Sequence, residues 1–360
     1  MKRLPIFFLL AMAFALLTAA GPQGKVGSAI TDGFDTTAAV ENSVDVIAWF
    51  DKGDTMTYYL GEQDGRVLDG DTSITCERYR EIRLAVIDTS DAGYRLEFCL
   101  LSDSMTGIDT DDESGVNQLA RGILKARVGH PAVLQLSPVG AVQHLENWWG
   151  YRDAFKAQVT RLVASLWDKL STQDGVISQN QLVNNIMESL GSEEQTIGQL
   201  AGIDQIFEMH GMPIPADTVI VGDTVNDDRT QEHNRFLASF APDSTVQDST
   251  SDDFEGDYSV LGVMETTPGS MELGHFVALQ AHALDVDPAV PEDAKILDAK
   301  TTQTQSNFYF GNGWLKRLML DNELCTTYQD AQGKKHELTI FNANHIEWTS
   351  ATWPGLKDGQ

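Results

Sequence analysis

Cationic residues are scarce in this chain: 25 Lys and Arg stand against 53 Asp and Glu, a formal charge of −28. A surface so acidic repels the phosphates of nucleic acid and of anionic lipid, which argues against both as partners. It favours solubility or cation binding, and a solvated acidic surface is its ordinary meaning. Cysteines number three, Cys76, Cys99 and Cys325, so at most one bridge can form. No C-x-x-C and no Cys–His spacing suggests a metal or redox centre. Cys76 and Cys99 fall on neighbouring predicted strands and make the best candidate pair, with three free, buried thiols as the equal alternative.

Catalytic signatures are missing too. The chain has no G-x-S-x-G, no S-x-x-K and no H-E-x-x-H. Its eight histidines are scattered. His275 and His282 bracket a predicted strand and, seven apart, would face opposite sides. No catalytic residue, cofactor-binding residue or metal ligand is assigned, and no cofactor is expected.

Long apolar runs are limited to one, at the start. "MKRLPIFFLLAMAFALLTAAGPQG" carries Lys2 and Arg3, an apolar stretch from Ile6 to Leu17, and the small residues Thr18-Ala19-Ala20. The run is too short to span a bilayer comfortably and reads as a secretory signal cleaved after Ala20. Cleavage leaves 23 basic and 53 acidic residues, a charge of −30. With no second long apolar segment, the expectation is an exported protein, periplasmic or extracellular, without a transmembrane segment.

What is present is strand pattern. Residues 1–20 form the signal and 21–40 a loose leader; 41–147 form a first β half and 212–349 a second, with a tail at 350–360. "VDVIAWF" reads as a buried strand, and "TMTYYL" alternates with Met56, Tyr58 and Leu60 on one face. Hairpins are predicted at "EIRLAVIDTSDAGYRLEFCLL", around Ser137 to Gly140, at Gly311-Asn312-Gly313 and at Asp330 to Gly333. "YSVLGVMETT" and "GHFVALQAHALDV" also read as strands, and "APDSTVQDSTSDDFEGD" as an exposed loop. Between the halves, 148–211 has helical spacing, with Phe155, Val159, Leu162 and Leu166 on one stripe. Two further helices there open on Ser residues suited to N-caps. The fold class expected is therefore α+β: two antiparallel β-meander halves, open to an internal duplication, separated by about three helices.

One repeated string invites a chemical reading. Gly-Asp-Thr follows an apolar run in "VIAWFDKGDT" and again in "VIVGDTVNDD". Phosphatases of the haloacid dehalogenase type use an Asp nucleophile after a buried strand and close a metal site with later acidic residues, here Asp51 with Asp223 and Asp227. Their proton carrier sits two residues after the nucleophile, and that position is Gly53, which can neither protonate a leaving group nor activate water. The flanking hairpins also oppose the parallel sheet of that fold. A third copy, Gly70-Asp71-Thr72, favours turn chemistry: Gly and Asp make the turn, and β-branched Thr opens the next strand.

Two other features receive plainer readings. "LSTQDGVISQNQ" imitates a calcium loop through Asp174, Gly175 and Ile177, but Leu170 and Gln181 stand where the end ligands belong. A metal-free helix connection is expected there, and "DTDDESG" at 109–115 is expected to be a solvated turn. Trp148, Trp149, Trp314, Trp348 and the run Phe308-Tyr309-Phe310 could line an apolar pocket, although core packing is the default.

The strings "FDKGDTMTY", "IPADTVIVGDT" and "FYFGNGWLKRL", with "VGAVQHLENWWGYRDAF" between the first two, resemble a family of exported bacterial proteins common in Bacteroidota and without an established function. The likeness spans most of 44–345. It departs at Val225, where relatives carry an aromatic, and in lacking a lipobox cysteine. It implies a two-half β-rich architecture and brings no catalytic residue. The function expected is thus a non-enzymatic binding or structural protein of the envelope or exterior, taking an apolar or extended ligand. The metal-dependent phosphatase using Asp51, Asp223 and Asp227 is the alternative.

Overall fold

Long alternating strands dominate the computed structural model, which describes residues 43–106, 114–170, 178–226, 229–239, 257–284, 290–291 and 293–353. The expected signal and leader, residues 109–113 of the acidic turn, residues 171–177 of the calcium-like loop, Asp227, the 240–256 stretch and residues 354–360 lie outside the described residues. Eleven strands form one sheet in the order β6-β5-β4-β3-β2-β13-β12-β11-β10-β9-β8. They are β2 (Thr55–Leu68), β3 (Asp71–Ser90), β4 (Gly93–Met105), β5 (Pro131–Leu136), β6 (Val142–Leu145), β8 (Ile220–Val225), β9 (Gln231–Ser239), β10 (Tyr258–Thr267), β11 (Lys295–Tyr309), β12 (Leu315–Gln329) and β13 (Lys335–Thr352). Every pairing between them is antiparallel. The first and last parts of the chain meet where β2 pairs with β13, from Thr55↔Thr352 to Leu68↔Leu338. Strands from the two expected halves therefore share one sheet, and its register shows no internal duplication.

A small second sheet pairs β1 (Ser43–Asp45) with β7 (Pro213–Pro215). "VDVIAWF" is a strand only through Asp45; residues 46–50 run on as a strap. Its backbone is tied to three places, by Gly211 N–H to Val46 O, Ala48 N–H to Val139 O and Trp49 N–H to Asn312 O. Tyr94 adds a hydroxyl bond to Ala48 O at 2.7 Å.

The helices are α1 (Gly115–Arg127), α2 (Trp148–Leu170), α3 (Gln179–Met187), α4 (Glu193–Gly198), α5 (Ile203–Phe207) and α6 (Leu273–Ala283). Ser178 forms a capping box with Gln181, and Ser192 caps α4, as their positions predict. The third expected helix breaks at Gly202, whose positive φ of 72° lets the backbone approach Leu60 and Ile346. The helical stripe of α2 runs through Tyr151, Phe155, Val159 and Val163, with Leu162 and Leu166 at its margin. Helix α1 begins at the Ser114 cap just after the acidic 109–113 run, in a span expected to be β.

Helix α6 corrects the reading of "GHFVALQAHALDV" as a strand. Phe276, Val277 and Ala281 are the buried positions, a helical spacing, and three alanines favour helix over strand. His275 and His282 accordingly share one exposed side of the helix, since seven residues make nearly two turns.

Candidate ligand-binding face

The sheet's inner face can be followed residue by residue. On β12 the positions Leu318, Leu320, Asn322, Leu324, Thr326 and Tyr328 point one way, because strand side chains alternate. Leu318 and Leu320 pack in the main core with Ile203, Ile206 and Phe207 of the α5 segment. Leu324 and Tyr328 pack with Phe276, Val277 and Ala281 of α6. Two helical elements thus cover the same face on either side of Asn322, which is only half-buried.

The neighbouring strands repeat the break. Asp64 on β2 stands opposite Asn342 on β13, Asn342 opposite Asn322, and Asn322 opposite Gln303 on β11. Beyond it, Gln303 faces Met264 on β10, and Met264 faces Asn234 on β9. An apolar stripe is therefore crossed by a polar row on four adjacent strands, with Asn234 beyond Met264 on the sixth. The row is wired: Asn344 Nδ2 donates to Asn342 Oδ1 at 2.7 Å, and Asn342 Nδ2 donates to Asp64 Oδ1 at 2.6 Å. Asn234 is 5% exposed and its Oδ1 has no hydrogen-bond partner.

At the β3 end the row meets a buried ionic group. Arg78 donates to both carboxylate oxygens of Asp103, at 2.9 and 2.7 Å, and Arg80 donates to Glu62 at 3.0 Å. Burial raises the Glu62 carboxyl above its ordinary range, with Arg80 and Arg78 opposing. Burial lowers Arg80 to about 10, Arg78 pushing the same way and Glu62 resisting. Arg78 is pulled down by burial, yet its bonds to Asp103 hold it above the usual value. Arg127 at the end of α1 reaches in to bond Gln199 O.

The α5 segment forms a roof over this group. Glu208 Oε2 accepts from Gln305 Nε2 at 2.9 Å. Asp204 is solvent-exposed on this segment, near Arg80 and Glu208. Burial, with the Glu208 charge adding, raises its carboxyl to about 6, against backbone N–H bonds and Arg80.

The residues named from sequence for a phosphatase are not brought together here. Asp51 and Asp54 close a turn, with Asp51 N–H donating to Asp54 Oδ2 at 2.9 Å and Asp54 N–H donating to Asp51 O. Asp223 lies on the edge strand β8, six strands from β2, and its Oδ1 contacts His233 Nδ1 at 2.9 Å. The wholly antiparallel pairing of the named strands gives that reading no framework. Among the described residues, no group of three His, Cys, Asp or Glu is placed to hold a metal ion. The Gly-Asp-Thr copies also part company. Gly53 and Gly70, at φ 100° and 92°, lie in the turns that enter β2 and β3. Gly222-Asp223-Thr224 lies inside β8, so it is no turn and no matching entrance.

No family model matches the chain. No curated protein does so either. Among solved structures, one of lipid–protein interactions in lipovitellin is similar at 8% identity and a TM-score of 0.36, over 86% of this chain and 26% of that one. The chain thus spans about a quarter of the lipovitellin chain. A mutant porin from Rh. blastica is similar at 10% identity and a TM-score of 0.15, over 82% of this chain and all of the porin.

Of the aromatic residues named from sequence, Trp314 and Tyr309 are core, and Trp148, Phe310 and Trp348 pack against it. Trp314 and Tyr309 are fully buried, and Phe310 packs edge-on against Trp348 and Trp353. Trp148 and Trp149 meet with tilted rings, centroids 4.0 Å apart, and Trp149 is 59% exposed. The polar row itself escaped sequence reading because its members lie far apart in the chain. Its only local trace is a polar residue at the inward position of an otherwise apolar alternation, as in "LMLDNELC" and "LTIFNANHI".

Proposed function

We propose that the protein is an exported, non-enzymatic binding protein that holds an extended, polar ligand across the inner face of its sheet. The observation that carries this reading is the register of Asp64, Asn342, Asn322 and Gln303 between two packed helical elements. A sheet serving packing alone would continue the leucines and isoleucines on either side. A buried polar atom left unsatisfied, such as Asn234 Oδ1, costs about 1–3 kcal/mol, so a ligand that donates to it stabilises the fold. The apolar parts of this face are already filled, by Trp314, Phe50 and Phe207 on one side and Phe276 on the other. That favours the extended ligand over the apolar one. Export is supported by the leader sequence, and the likeness to exported Bacteroidota proteins agrees with it. No helix among the described residues is long and apolar enough to cross a membrane.

The test is a thermal-shift screen of the purified chain against oligosaccharides, polyamines, peptides and fatty acids. It is repeated on a variant with Asn322→Leu and Asn342→Leu. Ligands that raise Tm in the parent should lose that effect in the variant. Stabilisation by fatty acids alone, unchanged in the variant, would overturn the reading.

A further inference from the structure

The turns that end two neighbouring hairpins meet over one imidazole. The pairing of β2 with β13 ends at Leu68↔Leu338. Just beyond it, in the β2–β3 turn, Asp69 N–H donates to Glu337 O, and Glu337 N–H returns a bond to Asp69 Oδ1 at 3.0 Å. The other oxygen, Asp69 Oδ2, lies 2.8 Å from His336 Nδ1. From the β12–β13 turn, Asp330 Oδ2 lies 3.2 Å from His336 Nε2, while its Oδ1 accepts the N–H groups of Gln332 and Lys334. The imidazole is 15% exposed, and the Tyr328 ring stacks on it with centroids 5.1 Å apart.

A neutral imidazole has one N–H and one acceptor nitrogen, so it can donate to only one of two carboxylates and turns a lone pair on the other. Both nitrogens donate only in the imidazolium. Backbone N–H groups on the remaining oxygens of Asp69 and Asp330 suit ionised carboxylates, which leaves the ring as the source of both protons.

We infer that His336 is a charge-operated clip: as an imidazolium it ties the β2–β3 turn to the β12–β13 turn, and when rising pH takes its proton the end of the β2–β13 seam opens. The clip stands apart from the binding reading. Its seam is where the first and last parts of the chain meet, and Tyr328 and Leu338 beside it also carry α6. Asp69 from one turn and Asp330 and Lys334 from the other act on the ring. On α6, the ionisable residues Glu272, His275 and His282 are all exposed.

The sign follows from those partners. Bonds to Asp69 and Asp330 hold the ring above its ordinary 6.5, with desolvation and Lys334 opposing. Backbone bonds first, and then His336, hold both carboxylates below their ordinary 3.8. The clip is therefore fully closed between those ordinary values and is lost on the alkaline side as the folded ring gives up its proton.

Proton NMR titration of the folded full chain tests this, with the His336 signal identified by its absence in His336→Gln. His336 should titrate above 6.5, and Asp69→Asn and Asp330→Asn should each bring it down. Hydrogen exchange of the Glu337 amide, expressed as protection relative to its intrinsic rate, reads the opening. At pH 6 the parent should be better protected than His336→Gln, and the difference should vanish above the measured titration of the ring. A ring that titrates at or below 6.5, or that neither Asp change moves, would overturn the clip. So would equal protection of parent and His336→Gln at pH 6, or a difference that persists after the ring has lost its proton.

Discussion

The Phe50 ring stacks on the Trp314 indole with centroids 3.9 Å apart and planes inclined by 19°. The contact joins the strap before β2 to the turn between β11 and β12, 264 residues away in sequence. Gly313 makes the approach possible, since a Cβ there would stand 2.3 Å from Ile47 O. Asp54, 2% exposed, lies beside the Trp314 indole, and burial raises its carboxyl while Asp51 N–H and Trp314 oppose the rise. The strap therefore acts as a clamp over the apolar end of the inner face.

Trp314→Ala should accordingly cost about 3–5 kcal/mol of unfolding free energy, the range for a buried tryptophan truncated in a tight core. Urea denaturation followed by circular dichroism measures it. A loss under about 1 kcal/mol would mean that the strap is not a structural clamp.

The ion pair of Arg78 and Asp103 makes a different demand. Their side chains are 3% and 0% exposed, so neither charge can fall back on water. Removing one partner strands the other, at about 3–5 kcal/mol, whereas replacing both with apolar residues is often neutral. Arg78→Met alone should thus be far more damaging than Arg78→Met combined with Asp103→Leu. Equal melting temperatures for the single and double variants would contradict the pairing.

How much of this was legible beforehand depends on how local each signal was. Hairpins at Asp88 to Gly93, Gly311 to Gly313 and Asp330 to Gly333 could be read because turn residues and alternating strands adjoin in sequence. The pairing of β2 with β13 could not, since it joins segments nearly 300 residues apart and leaves no local mark. Helix α6 was hidden by a sequence whose apolar residues fit either period, and tertiary packing on Ala299 and Leu324 decided it. Asp204 gave no signal either: "GIDQIF" is an ordinary short helix, and Arg80, which acts on its carboxylate, lies far off in the chain. The turn chemistry of Gly-Asp-Thr held for the copies at Gly53 and Gly70 and failed at Gly222, where β8 pairs straight through the string.

His210 carries a pH dependence of definite sign. It is fully enclosed, Nε2 lies 3.0 Å from Gly313 O, and Nδ1 has no partner. Burial lowers it from its ordinary 6.5 to about 4, against the Gly313 and Phe207 backbone groups nearby, which favour the charged ring. The unfolded chain therefore binds a proton that the folded chain refuses. The stability is present above about pH 6.5 and is lost as pH falls toward 4, a change on the order of 3 kcal/mol. His210→Gln should remove that part of the acid slope, leaving the carboxylate part common to both proteins. Melting temperatures at intervals between pH 4 and 7 provide the comparison, and parallel curves would count against the buried neutral histidine.

The thiols offer a last check on the sheet. Cys76 stands opposite Asp64 on the inner face, while Cys99 stands opposite Arg83 on the other. Seven residues of β3 separate Cys76 from Arg83, roughly 23 Å at strand rise, against the limit of about 7 Å between the Cα atoms of a bridge. The expected pair Cys76–Cys99 is thereby corrected, and all three cysteines are free. Burial, with the charges of Asp64 and Glu62 adding, raises the Cys76 thiol to about 11. Unfolded without reductant, the chain should titrate three thiols. In the folded chain, Cys76 should alkylate far more slowly than in the unfolded one near neutral pH, because its thiolate is scarce. Asp64→Asn should quicken that alkylation by removing one of the charges that suppress the thiolate. Equal rates in folded and unfolded protein would place Cys76 outside the acidic inner face and break the register on which the polar row depends.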